Sequence, residues 1–254
     1  MRIQKVRVQG FRLLEDVEIM LEPGSTVIVG RNNSGKTSLT DVFERFAGDG
    51  GAKFRLEDFS AGTRSSFFEA KELREKGEDP GKVLAAIPTI TITLTFAYDS
   101  AAPSLGPLSA FIIDLDMDST IAIAKLEYAP TLSSLQQLLE AADTPEGVDA
   151  KVHFMRHLKD AIPKAYSVQV SAIDPTDPAN VRRFEGTSHL AALLQCNLVR
   201  AQRTLDHAKH GDTDVIGKLL STLFKTASTP TAAVADQQLA AQLKSSVEGI
   251  EREV

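Results

Sequence analysis

The residues best suited to chemistry in this chain are Gly30, Arg31, Asn32, Asn33, Ser34, Gly35, Lys36 and Thr37. They meet the pattern G-x-x-x-x-G-K-[ST] at every fixed position, which is the signature of a loop that wraps phosphate. The chemistry would be electrostatic grip. Glycine lets the backbone close round anionic oxygens where a Cβ would collide, and successive N–H groups turned inward form an anion nest. The N-terminus of a following helix adds partial positive charge and unpaired donors. On this reading Lys36 bridges the β- and γ-phosphates of ATP or GTP, the Thr37 hydroxyl ligates Mg²⁺, and Ser38 completes the binding set.

Such a loop needs a strand before it and a helix after it. Ser25–Val29 (STVIV) is a short β-branched run suited to a buried strand, set off by the turn signal Pro23–Gly24. After the loop, Leu39, Val42, Phe43 and Phe46 recur with helical spacing, and Gly48–Gly51 ends the pattern. A bare match to the loop pattern arises by chance in roughly one chain per hundred of this length, given ordinary glycine usage. The flanking strand and helix make chance the poorer account.

Upstream, residues 3–8 and Val17–Leu21 alternate as strands around a polar turn. Residues 52–87 are polar and mixed and read as a surface insertion, with DFS at 58–60 and a charged helical stretch, EAKELREKGED. Thr89–Ala97 is the strongest alternating strand, and Phe111–Leu115 and Ile121–Tyr128 read as two more. Helical spacing runs over Leu132–Glu140 and Val152–Ile162, and strands return at Tyr166–Ile173 and Val181–Phe184. Ser188–Leu194 is a helix candidate, Leu198–Ala201 a short strand candidate, and the chain from Asp214 onward reads as helices. The implied architecture is an α/β lobe with a mixed sheet over 1–210, carrying its insertion at about 50–87, and a helical segment over 211–254.

Composition excludes several classes. Hydrophobic residues are 43% and charged residues 24% of 254, an ordinary globular balance. No apolar run approaches the ~18 residues a bilayer span requires, and MRIQKVRVQG lacks the apolar block of a signal peptide. A single cysteine, Cys196, leaves no internal disulfide framework and fits a reducing cytoplasm. A formal charge of −6 argues against a wholly basic surface, though not against a local basic groove.

The stretch GFRLLEDVEIMLEPGSTVIVGRNNSGKTSL resembles the opening of ABC-type ATPases of the SMC, RecF and OLD kind, in which G-F-[RK] precedes a second strand. The NNSGKTSL version is most similar to OLD-family ATPases, among them the Gabija nuclease. DF at 58–59 and LVRAQR at 198–203 are also similar to that family. The resemblance implies a head that dimerises, or assembles further, around ATP and Mg²⁺, each nucleotide held between one subunit's phosphate loop and the other's signature motif. It implies a glutamine sensing Mg²⁺ and the attacking water, for which Gln202 is the candidate and Gln195 the second. It also implies that Arg12 approaches the nucleotide. No LSGG-like signature and no apolar strand ending in Asp-Glu occurs, so the chain alone is expected to hydrolyse ATP poorly. The expected function is the ATPase head of an OLD-like, ATP-regulated DNA endonuclease in antiviral defence, with the Toprim nuclease chemistry in sequence beyond Val254. The rivals are a RecF- or SMC-like DNA-repair ATPase without nuclease, and a nucleotide sensor that governs a partner effector.

Other constellations carry less. FIIDLD at 111–116 lacks the Asp-Glu pair of a Walker B strand, because Leu115 follows Asp114. Asp114, Asp116 and Asp118 fail as a calcium loop, since position six is Ser119 and position twelve Lys125. His153 and His157 share a helix face at i, i+4 but have no third zinc ligand, and His207 and His210 lie in a solvated polar stretch. Cys196 reads as core. Arg182, Arg183, Arg200 and Arg203 mark a solvated face more readily than a DNA-facing patch, for no aromatic residues interleave them.

Overall fold

The structure, a computed structural model, describes residues 1–47, 54–102, 104–114, 116, 119–141, 147–194 and 196. Six strands form one sheet: β1 (Arg2–Phe11), β2 (Leu14–Met20), β3 (Ile90–Ala97), β4 (Ile121–Pro130), β5 (Tyr166–Ile173) and β6 (Val181–Phe184). Their spatial order is β2-β1-β3-β4-β5-β6, and every pairing is antiparallel. The expected mixed sheet is thus corrected, among the described residues, to an antiparallel one.

Strand alternation decides which face is covered. Val6 and Val8 of β1, Ile90, Ile92, Leu94 and Phe96 of β3, and Ala124, Leu126 and Tyr128 of β4 are buried in one cluster. The intervening positions form the opposite face, where Arg7 stands across from Thr93 and Thr93 across from Lys125. Thr91 and Thr95 on that face are nonetheless buried, between the longer side chains of Gln9 and Glu127 and of Lys5 and Ile123.

The helices are α1 (Lys36–Ala47), α2 (Ser66–Glu75), α3 (Pro80–Ala86), α4 (Leu135–Leu139), α5 (Ala150–Ala165) and α6 (Ser188–Leu193). Two starts are built by aspartate caps: Asp79 accepts from the N–H groups of Gly81 and Lys82, and Asp149 from those of Lys151 and Val152. Helix α1 buries Leu39, Val42 and Phe46, as its spacing predicts, with Phe43 partly buried beside them, and buries Ser38 as well.

Three expectations are corrected. Residues 54–87 are not a surface insertion, for Phe54, Phe59, Phe67 and Ala70 are wholly buried and Leu56, Val83 and Ile87 nearly so. Phe54 sits among Phe11, Phe46 and Tyr128 with ring centroids 5.7, 5.1 and 4.8 Å away, so it joins β1, α1 and β4. The polar composition concealed this because the core residues are sparse aromatics between charges.

Phe111–Leu115 does not begin as a strand: Gly106–Phe111 is a 3-10 turn and the chain through Asp114 is irregular. Finally, Ser25–Val29 is not in a strand, and Val27 and Val29 are 82% and 84% exposed. β2 ends at Met20, the Leu21 N–H closes on the Gln4 carbonyl at 2.8 Å, and the chain leaves the sheet at Pro23–Gly24. A β-branched run favours extended backbone, but a strand exists only where a neighbour supplies the ladder. The Leu198–Ala201 strand and the helices from Asp214 lie outside the described residues.

Candidate phosphate-binding site

The phosphate loop leaves the extended segment at Gly30 and runs directly into α1. Arg31, Asn32, Asn33 and Ser34 are exposed, and Gly35 is buried. Asn33 and Gly35 both have positive φ, 63° and 88°, the turn that reverses the chain into the helix. Asparagine is among the few non-glycine residues that enter this region at low cost. At Gly35 a side chain would meet the Leu14 methyl at 3.0 Å, and at Gly30 it would meet Ser34 Oγ at 2.8 Å. Both fixed glycines of the pattern therefore stand where the loop is closest to something else.

Lys36 folds back over the loop. Its Nζ donates to the carbonyls of Gly30 and Arg31, both at 2.6 Å, and lies 3.4 Å from Ser34 Oγ. An incoming phosphate would take over these donors. Thr37 lies exposed in the first turn of α1, and its hydroxyl donates to nothing among the described residues. A free hydroxyl at a helix start, beside an ammonium group, suits a hard cation held between protein and phosphate oxygens. Ser38 differs from its neighbours: it is 8% exposed, on the packed side of α1 with Leu39 and Val42. The helical turn carries its side chain toward the core, so any contact it makes with phosphate falls to its backbone N–H.

Arg12 lies in the tight turn between β1 and β2, whose Leu13 and Leu14 border Gly35. Its guanidinium is engaged within the protein. Nε donates to Asp58 Oδ1 at 2.9 Å and Nη1 to Asp41 Oδ2 at 2.7 Å. Asp58 is 5% exposed, and its Oδ2 also accepts from Arg45 Nη1 and from the Arg55 N–H, each at 2.9 Å. Its charge, added to burial, helps push the Tyr128 hydroxyl up to about 12. Sequence reasoning gave Asp58 no role of its own; the signal was the acidic pair Glu57–Asp58 set between the apolar Leu56 and Phe59.

Gln202 and Gln195, the Mg²⁺- and water-sensing candidates, lie outside the described residues, as do Asp118, Arg200, Arg203, His207 and His210. Asp114 has both carboxylate oxygens buried without a hydrogen-bond partner, and Asp116 is exposed. No group of three or more metal-ligating side chains occurs among the described residues. His157 Nε2 is 3.1 and 3.2 Å from the Gln137 and Leu138 carbonyls, so it serves as a donor holding α5 to α4. Arg182 and Arg183 are exposed on β6. Cys196 is half-buried, and burial, with the charge of Glu44, pushes its thiol up.

A helix-led phosphate loop on an α/β body defines a P-loop nucleotide-binding domain. The family model described as "AAA ATPase domain" matches residues 1–251. The chain belongs to that family and is an ATP-binding ATPase domain. No curated protein matches it. No described helix is long and apolar enough to cross a membrane.

Proposed function

We propose that the loop Gly30–Thr37 binds Mg-ATP and that the chain is the ATP-responsive head of an OLD-like DNA endonuclease. Lys36 turns from its own carbonyls to the β- and γ-phosphates, the loop N–H groups receive the oxygens, and Thr37 holds Mg²⁺. Bound there, the ion would neutralise charge on the phosphate oxygens. Two such heads would close on ATP as a homodimer or larger assembly.

The observation that supports the OLD-like reading is that its two separate motifs interlock. GFR and DFS meet through Arg12 and Asp58, through the bridge between Phe11 and Phe59, and through the Ser60 N–H on the Gly10 carbonyl at 3.0 Å. Gly10 has φ 74°, and a Cβ there would lie 2.3 Å from the Thr89 carbonyl oxygen, so the motif's glycine is required by backbone approach.

The test is plasmid cleavage by the native full-length protein in Mg²⁺, with ATP varied, alongside Lys36→Ala. ATP-dependent control of cleavage that Lys36→Ala removes supports the reading. ATP binding with no effect on DNA at any nucleotide level would refute the nuclease assignment and favour a sensor acting on a partner effector.

A further inference from the structure

The phosphate loop is held unequally on its two sides. Before it, Ser25–Gly30 is exposed and enters no strand, so that side offers little support. After it comes α1, whose packing must therefore decide where the loop sits. The apolar face of α1 supplies part of that hold. Beside it stands an ionic network in which Arg12 and Arg45 both pair with one carboxylate, Asp58.

Thr37, Asp41 and Arg45 follow one another at i, i+4 spacing and so lie along one line of α1. Arg12 Nη1 grips Asp41 at 2.7 Å, and Asp58 grips Arg45 at 2.9 Å. Arg12 Nε joins the two contacts by donating to Asp58 at 2.9 Å. Asp58 is itself fixed to the body, because its carbonyl accepts the Arg12 N–H at 2.8 Å and its Oδ2 accepts the Arg55 N–H. Arg12 is held with φ 49°, in the left-handed region that non-glycine residues enter only at a cost. The same turn presses Leu14 toward Gly35.

We propose that Asp58 is a positioning residue for the nucleotide site, setting α1 and the phosphate loop through Arg12 and Arg45 without touching the nucleotide. The proposal rests on the reading that Gly30–Thr37 binds Mg-ATP. A carboxylate this buried is stable only with its charge and lone pairs satisfied. Asp58→Asn keeps the shape and makes this impossible. One oxygen can still accept, but the amide nitrogen that replaces the other turns N–H groups toward an arginine or toward the Arg55 N–H. The helix must shift to relieve that contact, and the loop moves with it.

The experiment is calorimetry of Mg-ATP binding to the full chain, at a temperature where circular dichroism shows each variant fully folded. Asp58→Asn should weaken binding roughly tenfold or more, the scale of one lost charge-assisted contact passed on to the loop. Arg12→Met should weaken it comparably, and the double variant should be no worse than the weaker single one, because both act through one network. Asp41→Asn, on a half-exposed group, provides the same test should Asp58→Asn fail to fold. Lys36→Ala is the control for the site itself. If Lys36→Ala weakens binding about 30-fold or more while folded Asp58→Asn or Asp41→Asn binds like wild type, Asp58 is only structural and the proposal is overturned. If Lys36→Ala binds normally, the site reading fails, and the inference with it.

Discussion

Replacing Lys36 by alanine measures how much of nucleotide affinity is electrostatic grip. In the protein the Nζ already makes two short bonds, to the Gly30 and Arg31 carbonyls at 2.6 Å each. On binding ATP these are exchanged for bonds to phosphate. Two charge-assisted bonds contribute roughly 3–6 kcal/mol, and releasing two exposed bonds costs about 1–3 kcal/mol. Taken end for end, the net is about 2–3 kcal/mol, a loss of about 30- to 140-fold in affinity. Folding should hardly change, since Lys36 lies at an exposed helix start and alanine is a strong helix former. The assay is titration calorimetry with Mg-ATP at fixed ionic strength, because surface electrostatics are screened by salt. Thermal melts alongside it verify the fold. An affinity within about threefold of wild type would refute the exchange argument.

Other expectations concern the body that carries the site. Tyr166→Phe removes the bond from Tyr166 Oη to the Pro88 carbonyl at 2.8 Å and leaves that buried carbonyl unpaired. It should cost about 1–3 kcal/mol in urea denaturation, and an unchanged midpoint would count against it. Phe54→Ala empties the centre of the aromatic cluster and should cost about 3–5 kcal/mol of stability, read as a lowered Tm. Burial raises the hydroxyls of Tyr128, to about 12, and Tyr166, while burial and nearby aspartates raise that of Tyr98. A raised folded value means protons are held longer in the native state, so this stabilisation is complete below pH ~10 and lost as pH climbs toward ~12. Ultraviolet titration should show tyrosinate appearing later in the native chain than in denaturant; coincident curves would contradict the burial. Asp174 is held at about 2 by hydrogen bonds from Thr176, Asn180 and the Asp177 N–H. Its contribution is present above pH ~4 and lost as pH falls toward ~2, which acid denaturation of Asp174→Ala should reveal as a flattened slope.

What the sequence by itself determined was local. Glycine, lysine and threonine at fixed spacing define a phosphate loop because backbone freedom, charge and hydroxyl are properties of single residues. Strand patterning placed β3, β4, β5 and β6 nearly to the residue, and found β1 as residues 3–8 where the strand runs Arg2–Phe11. The spacing of Leu39, Val42 and Phe46 gave α1 for the same kind of reason.

Tertiary structure decided whatever depends on a partner distant in the chain. Ser25–Val29 has strand composition and stands exposed, because composition cannot supply a neighbouring ladder. Residues 54–87 look polar and yet place Phe54, Phe59 and Phe67 at the centre of the core, because burial depends on which few side chains meet across the fold. The ionic hold on α1 joins Arg12, Asp41, Arg45 and Asp58, with the ends of its Arg12–Asp58 bond 46 positions apart in the chain. Each is an ordinary charged residue in sequence. Only folding brings them within hydrogen-bond reach, and only burial makes their pairing obligatory, since an unpaired charge there would cost several kcal/mol.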